Sequence, residues 1–218
     1  MQIEEILKSI NNIKEVKNAP VFRKMQIVDK NPFRIITFAV LSPRAKDETL
    51  IKVCKILFRK AKDFKDIVKM KRKDLESILY PIGFYKRKSM TLKKLAKQII
   101  KLKKLPNRLE EIVKLYGIGR KVGKVILNEL YDSNVVAVDT HVHRISNRIG
   151  IINTKSIKES EKELEKIVPE NLKKDFNKIL VAFGQTICKP KNPLCYKCSL
   201  KKGCKYYLWR NIHFGHLK

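Results

Sequence analysis

Apolar residues recur at intervals of three and four along most of the chain. Ile3, Ile6, Leu7, Ile10, Ile13 and Val16 share one face over residues 2–17, which predicts an amphipathic helix. Residues 18–31 lack such a period and read as irregular. Pro32 then opens the run Pro32-Phe-Arg-Ile-Ile-Thr-Phe-Ala-Val-Leu41. Proline suits the first turn of a helix, so a buried helix is expected, although the β-branched and aromatic content also admits a strand. After the break at Ser42-Pro43, a helix is expected over 44–60 with Leu50, Val53, Cys54 and Leu57 inward, and Cys54 reads as a core residue. Shorter helices are expected at 63–70 and 74–79, then a turn at Pro81-Ile-Gly-Phe-Tyr85. Over 88–104, Leu92, Leu95, Ile99 and Leu102 form one face. Lys93, Lys94, Lys97, Lys101 and Lys103 form the other, the pattern of a solvated surface. Helical segments at 107–114 and 121–130 flank a glycine-rich turn. Asn134-Val-Val-Ala-Val138 is the one short extended apolar run. Asp139 opens a helix to Ile149, and helices at 156–167 and 169–187 lead into a cysteine-rich segment. No repeat, low-complexity tract or flexible linker interrupts this pattern. The fold class it predicts is all-α, with about ten helices.

Composition narrows what such a fold does. With 218 residues, 44% of them hydrophobic, the chain can form one large domain or two small ones. Its formal net charge is +29, from 50 Lys+Arg against 21 Asp+Glu. Such an excess opposes compaction through self-repulsion, and a polyanion, above all nucleic acid, is the simplest reason to tolerate it. Adaptation to heat is the competing reading, but there Lys and Glu rise together, and here Lys rises alone. The polar, periodic N-terminus does not resemble a signal peptide, and no apolar run approaches the roughly 20 residues that span a bilayer, so an intracellular protein is expected. Four of the five cysteines fall in the last 31 residues. In a reducing compartment such crowding indicates metal ligands rather than disulfides.

Three stretches carry candidate chemistry. The first is Leu115-Tyr-Gly-Ile-Gly-Arg-Lys-Val-Gly-Lys124, a glycine turn between two short helices. Glycines let a backbone come close, and the following helix presents N–H groups at its positive end, which suits a phosphate. Lys121 at that helix start is either a phosphate contact or a chemical group. The second is Val138-Asp139-Thr-His-Val142, where Asp139 is a natural N-cap. His143 reads as a surface or capping residue, and His141 as a partner of the site. The third is Cys188-x6-Cys195-x2-Cys198-x5-Cys204. Four thiolates suit an iron–sulfur cluster or zinc, and a single Cys-x2-Cys pair with unequal flanking loops leans toward iron–sulfur. The stiff loop between the first two cysteines offers Lys189 and Lys191 to a phosphate backbone or to solvent.

These three motifs, in this order, resemble the endonuclease III family of the helix-hairpin-helix DNA glycosylase superfamily, over residues from about 25 to 206. The resemblance implies two helical domains flanking a DNA-binding cleft. One is a six-helix barrel with the hairpin, residues 25–133. The other combines 1–24 and 134–218 and holds a [4Fe-4S] cluster on Cys188, Cys195, Cys198 and Cys204. The implied partner is double-stranded DNA containing damaged bases or abasic sites, bound by a monomer. The implied activity is excision of oxidised pyrimidines followed by strand cleavage at the abasic site. The family's nucleophilic lysine falls on Lys121 and its catalytic aspartate on Asp139. The phosphate-gripping hairpin falls on Gly117, Ile118 and Gly119, with Arg120 and Lys124 as neighbouring cations. Residues inserted into the base stack fall at Arg44 and Phe84, where the bacterial pattern has Gln and Leu. Tyr116 and Val122 replace the common Pro and Thr. Such chemistry requires a flipped base, a neutral lysine favoured by desolvation and nearby cations, and a carboxylate to stabilise positive charge on the sugar. A mismatch glycosylase without lyase activity, and a DNA-binding iron–sulfur protein without enzymatic activity, are the alternatives.

Overall fold

The computed structural model describes residues 2–23 and 25–214. Met1, Lys24 and residues 215–218, which belong to the expected second domain, lie outside the described residues. Among the described residues there are fifteen α-helices, two short 3-10 turns and no strand. The chain divides into two compact units, Arg23–Ser133 and Met1–Phe22 with Asn134–Lys218.

The N-terminal periodic stretch is two helices, not one. α1 (Ile3–Asn11) stops at Asn12, and Ile13 becomes the N-cap of α2 (Lys14–Lys17). Ile6, Leu7, Ile10 and Val16 are buried as the pattern requires. The stretch without a period contains two one-turn helices, α3 (Pro20–Arg23) and α4 (Met25–Val28). One turn is too short to display a 3.6-residue repeat.

In the unit Arg23–Ser133 the central element is α5 (Pro32–Leu41), a helix as the leading proline indicated. The Asn31 side chain caps it by accepting from the Arg34 N–H, and eight of its ten residues are buried. Around it lie α6 (Asp47–Lys60), α7 (Phe64–Lys69), α8 (Arg72–Leu79), α9 (Tyr85–Ile99), α10 (Leu109–Ile112) and α11 (Arg120–Tyr131). α5 packs directly on α4, α6, α9 and α11, and α9 in turn packs on α7 and α8. α6 begins at Asp47, three residues later than its apolar pattern suggests, because Arg44 adopts a left-handed conformation at φ +56°. Cys54 is fully buried on α6, and desolvation pushes its thiol up to about 12.

The lysine face of α9 needs one correction. Lys93 is only partly exposed, and its Nζ donates to the carbonyls of Ile67 (3.1 Å), Val68 (3.0 Å) and Met70. These lie at the end of α7, whose last carbonyls have no partner within the helix. A cation there satisfies them and opposes the negative end of the helix dipole.

The other unit is built on α14 (Glu170–Thr186), which packs against α1, α2 and α12 (Thr140–Ile149). α13 (Ile157–Ile167), capped by Ser156, and α15 (Lys205–Phe214) complete it. Its extended run, Val136 to Val138, is buried yet has no neighbouring strand. Helix side chains satisfy its backbone. The Val136 N–H donates to Glu165 Oε2 (3.1 Å), and the Ala137 carbonyl accepts from Asn177 Nδ2 (2.7 Å). No helix among the described residues is long and apolar enough to cross a membrane.

Replacing Lys93 by Met leaves three helix-end carbonyls without their charged donor. It should lower the unfolding free energy by about 2 kcal/mol, read from the urea midpoint. Lys97→Met, on the exposed part of the same helix, should change it by less than about 0.5 kcal/mol.

Candidate functional site

The hairpin forms because three glycines do three different jobs. Gly117 is left-handed at φ +79°, and a Cβ there would overlap Thr91 Cγ2. Gly123 lets α11 approach α10, since a Cβ would lie 3.1 Å from Ile112 Cγ2 and 3.2 Å from Leu109 Cδ1. Gly119 is the N-cap of α11 with ordinary extended backbone, and nothing in the protein lies within 4 Å of the Cβ position. Gly119 thus leaves open space at the positive end of a helix, where a phosphate oxygen can approach the backbone. The turn is also held from α9. Gln98 Oε1 accepts from the Tyr116 N–H (2.6 Å), and Lys94 Nζ sits 4.7 Å from the Tyr116 ring centre. Arg120 is exposed at the first position of α11, and Lys121, half-buried, is at the second.

Asp139 caps α12. Its Oδ1 accepts from the N–H groups of His141 (2.9 Å) and Val142 (3.0 Å). The cap follows directly on the buried run that Glu165 and Asn177 hold, so the carboxylate is fixed from both sides. One turn into α12, Arg144 Nη2 lies 3.3 Å from His141 Nδ1 and donates to the Cys188 carbonyl (2.9 Å). Burial is the strongest influence on Arg144 and lowers its pKa; the thiol of Cys188 and the carboxylate of Asp139 act in the opposite direction. α14 comes this close because it has glycine at 184: a Cβ there would overlap His141 Nδ1 and lie 2.9 Å from Arg144 Nη2.

Cys188, Cys195, Cys198 and Cys204 are half-buried and line one cavity with Ile149, Phe183, Ile187 and Leu200. Among the described residues no three His, Cys, Asp or Glu side chains stand close enough to share a single ion; the four thiols surround a space instead. Desolvation, followed by repulsion from the other cysteines, raises the pKa of Cys195, and Cys198 is pushed up to about 11 mainly by burial. Arg148 faces this group. Its Nη1 is 3.7 Å from Cys188 Sγ and donates to the Lys189 carbonyl (2.7 Å), its Nη2 donates to the Pro190 carbonyl (2.9 Å), and its guanidinium lies 4.3 Å from the Tyr206 ring centre. Soft sulfur donors around an apolar cavity, with a cation beside one of them, fit a thiolate-held metal cluster.

Residues 38–170 match the HhH-GPD superfamily of base excision DNA repair proteins. The chain is 37% identical to endonuclease III of Thermotoga maritima over 207 residues, spanning 94% of this chain and 93% of that protein. It is 34% identical to endonuclease III of Bacillus subtilis, over 83% and 84% of the two chains. The chain belongs to the endonuclease III family. A solved non-covalent endonuclease III–DNA complex superposes with a TM-score of 0.78 at 30% identity, over 87% of this chain and 94% of that one. A trapped endonuclease III–DNA covalent intermediate, an estranged-adenine complex, superposes with a TM-score of 0.77 at 28% identity, over 91% and 98%. As a member of this family the protein is a base-excision-repair DNA glycosylase.

Against the family's pattern, the unit Arg23–Ser133 holds Gly117, Ile118, Gly119, Arg120, Lys121, Lys124, Arg44 and Phe84. The other unit holds Asp139, Lys189, Lys191 and the cysteines. Two of the expected DNA contacts have little exposed surface. Lys124 is buried at 4% exposure on α11. Ile118 points its side chain into the core and donates its N–H to the Leu115 carbonyl (3.1 Å), leaving the flanking glycines for the phosphate. His143 is half-buried, and its Nδ1 is 2.6 Å from Ser160 Oγ. Lys189 and Lys191 are exposed on a loop that Arg148 pins from below.

Arg44 and Phe84 occupy two neighbouring corners and touch. Both are left-handed, at φ +56° and +59°, which costs a non-glycine residue about 1–2 kcal/mol. The Arg44 guanidinium lies 5.4 Å from the Phe84 ring centre, Phe84 is 57% exposed, and Gly83 passes close to the Arg44 carbonyl. Exposed Tyr80 meets the Tyr85 ring edge-on beside them at 5.2 Å. Sequence reasoning missed Asn177, Gly184, Arg144 and Arg148, each of which acts on a segment distant along the chain.

Alanine at 117 should destabilise the fold by about 1–3 kcal/mol, through both its positive φ and the overlap with Thr91. Alanine at 119 should change stability by less than about 0.5 kcal/mol, as measured by chemical denaturation.

Proposed function

We propose that this chain is a bifunctional enzyme that excises oxidised pyrimidines from duplex DNA and then cleaves the strand at the abasic site. Lys121 is the nucleophile, and Asp139 the acid–base and electrostatic partner. The observation that carries this reading is a lysine at the second position of α11, directly after a glycine N-cap with open space above it, in a chain of the endonuclease III family. The net charge of +29 supports duplex DNA as the partner, and the trapped covalent intermediate of a relative supports covalent attack on the DNA.

The backbone at Gly117 and Gly119 and the exposed Arg120 grip a phosphate, while the target nucleotide leaves the stack. The Lys121 lone pair attacks C1′ of the sugar, and the glycosidic bond breaks. The base leaves with the bonding electrons and takes up a proton. Asp139 stabilises the positive charge that develops on the sugar. Ring opening gives an iminium between C1′ and Lys121 Nζ. Loss of a C2′ proton then expels the 3′ phosphate by β-elimination, and water releases the lysine.

Cys188, Cys195, Cys198 and Cys204 would hold a [4Fe-4S] cluster, which supplies a cross-link for a segment that otherwise contains only two 3-10 turns. Arg148 would place a positive charge beside the Cys188 thiolate and fix the loop that exposes Lys189 and Lys191.

Incubation with duplex containing thymine glycol, followed by borohydride, should give a covalent protein–DNA complex that disappears in Lys121→Ala. Base release without any trapped complex would refute the lysine chemistry and indicate a glycosylase without lyase activity. Asp139→Asn retains the Oδ1 acceptor, so it should keep its melting temperature and duplex binding. Its excision rate should fall on the order of a hundredfold. Excision at the wild-type rate would leave Asp139 as a helix cap alone. Gly119→Ala should weaken duplex binding severalfold at fixed salt, because a methyl group then fills the space a phosphate needs.

A further inference from the structure

Residues 77–109, which include α9, contain ten Lys and Arg and no Asp or Glu. Two of these cations have a place inside the unit: Lys93 closes the end of α7, and Lys88 is buried. Lys94, Lys97 and Lys101 are exposed. They lie three and four residues apart and so share one face of α9 and of the turn that ends it. No carboxylate stands at helical spacing from any of them, and like charges at this spacing repel. A solvated helix adapted to heat would interleave Glu with Lys, and this one does not.

This face is joined to the hairpin. Gln98 Oε1 accepts from the Tyr116 N–H (2.6 Å), and Lys94 Nζ lies 4.7 Å from the Tyr116 ring centre and 3.4 Å from its hydroxyl. Tyr116 directly precedes Gly117 in the turn. Proline, common here in the family, has no N–H to give Gln98 and no aromatic ring to carry Lys94, so the link belongs to this chain. From Lys94 to Lys101 the helix rises about 10 Å, at roughly 1.5 Å per residue. Over that length one strand of a duplex carries about three phosphates, one per roughly 3.4 Å. Three cations in a row, beside a turn suited to a phosphate, thus match the next charges of the same backbone in number and spacing.

We infer that Lys94, Lys97 and Lys101 form a second phosphate track, which continues the grip of the hairpin along the DNA backbone. This inference rests on the proposed reading that Gly117 and Gly119 hold a phosphate. The track carries no sequence information. It adds affinity for any duplex, damaged or not, and helps fix the register of the protein on the strand. Gln98 and Tyr116 are positioning residues here, keeping the Lys94 end of the track over the turn.

The salt dependence of binding counts phosphate contacts without depending on catalysis. The probes are an undamaged duplex and the same duplex with one tetrahydrofuran abasic analogue, measured by fluorescence anisotropy between about 50 and 200 mM potassium chloride. The triple variant Lys94→Gln/Lys97→Gln/Lys101→Gln should reduce the slope of log K against log salt by about 2–3 on both probes, because each lost contact removes about 0.9. Lys97→Gln alone should reduce it by about 0.9. Lys55→Gln/Lys60→Gln/Lys65→Gln removes the same charge from exposed positions of α6 and α7, and should change the slope by less than about 0.5. An α9 variant with the wild-type slope overturns the inference. An equal loss in both triple variants also overturns it, because the effect then follows net charge and not position. Unchanged far-ultraviolet circular dichroism in the variants excludes misfolding as the cause. Gly119→Ala reports separately on the hairpin. Weakened binding in Gly119→Ala with an unchanged slope in the α9 variant rejects the track alone, and a reduced slope in the α9 variant with full binding by Gly119→Ala rejects the hairpin reading alone.

Discussion

A buried extended segment with no sheet to join is the constraint around which the unit holding Asp139 is built. Val136, Ala137 and Val138 are apolar enough to be drawn inside, but their peptide groups lose water when they get there. A neighbouring strand would ordinarily supply the missing bonds. Here the Glu165 carboxylate from α13 and the Asn177 amide from α14 supply them instead. Each of these bonds ties a helix to the segment, so satisfying the backbone and assembling the unit are the same event. The residue that emerges from the segment is Asp139, whose own carboxylate closes the first turn of α12.

α12 carries that rigidity onward. Arg144 and Arg148, one turn apart, reach the carbonyls at Cys188, Lys189 and Pro190, and the Arg148 carbonyl lies 3.2 Å from Cys204 Sγ. Lys197, beside Cys198, pairs with Glu15 of α2, and the Ser199 hydroxyl donates to the Ser9 carbonyl of α1. The cysteine segment has little regular structure of its own, so its shape is borrowed from helices that begin and end elsewhere in the chain.

Local signals in the sequence were the ones that transferred to the structure. Pro32 at a helix start outweighed a β-branched run because the Asn31 cap and the buried surface both favour the helix. The hairpin, the Asp139 cap and the cysteine spacing are all written within a few residues. Misreadings arose where a partner lies far away. Lys93 shares the spacing of its solvated neighbours and differs only because the end of α7 sits above it. Lys124 lies three residues beyond Lys121, almost a full turn, yet is buried, which no local pattern reports. Asn177 and Gly184 look like ordinary helix residues; their importance lies in Ala137 and His141, roughly forty residues earlier. The segment 18–31 was unreadable for a different reason, because single helical turns are held by tertiary packing and not by amphipathic repeat.

The left-handed corners at 44 and 84 cost the fold stability. Glycine adopts that backbone freely, whereas arginine and phenylalanine do not. A mutant library screened for heat tolerance alone would therefore drift toward glycine at both positions. Its winners would be sturdier proteins that lack both side chains. An engineer who wants both side chains kept would hold these two positions fixed and look for gains in α6 or α13.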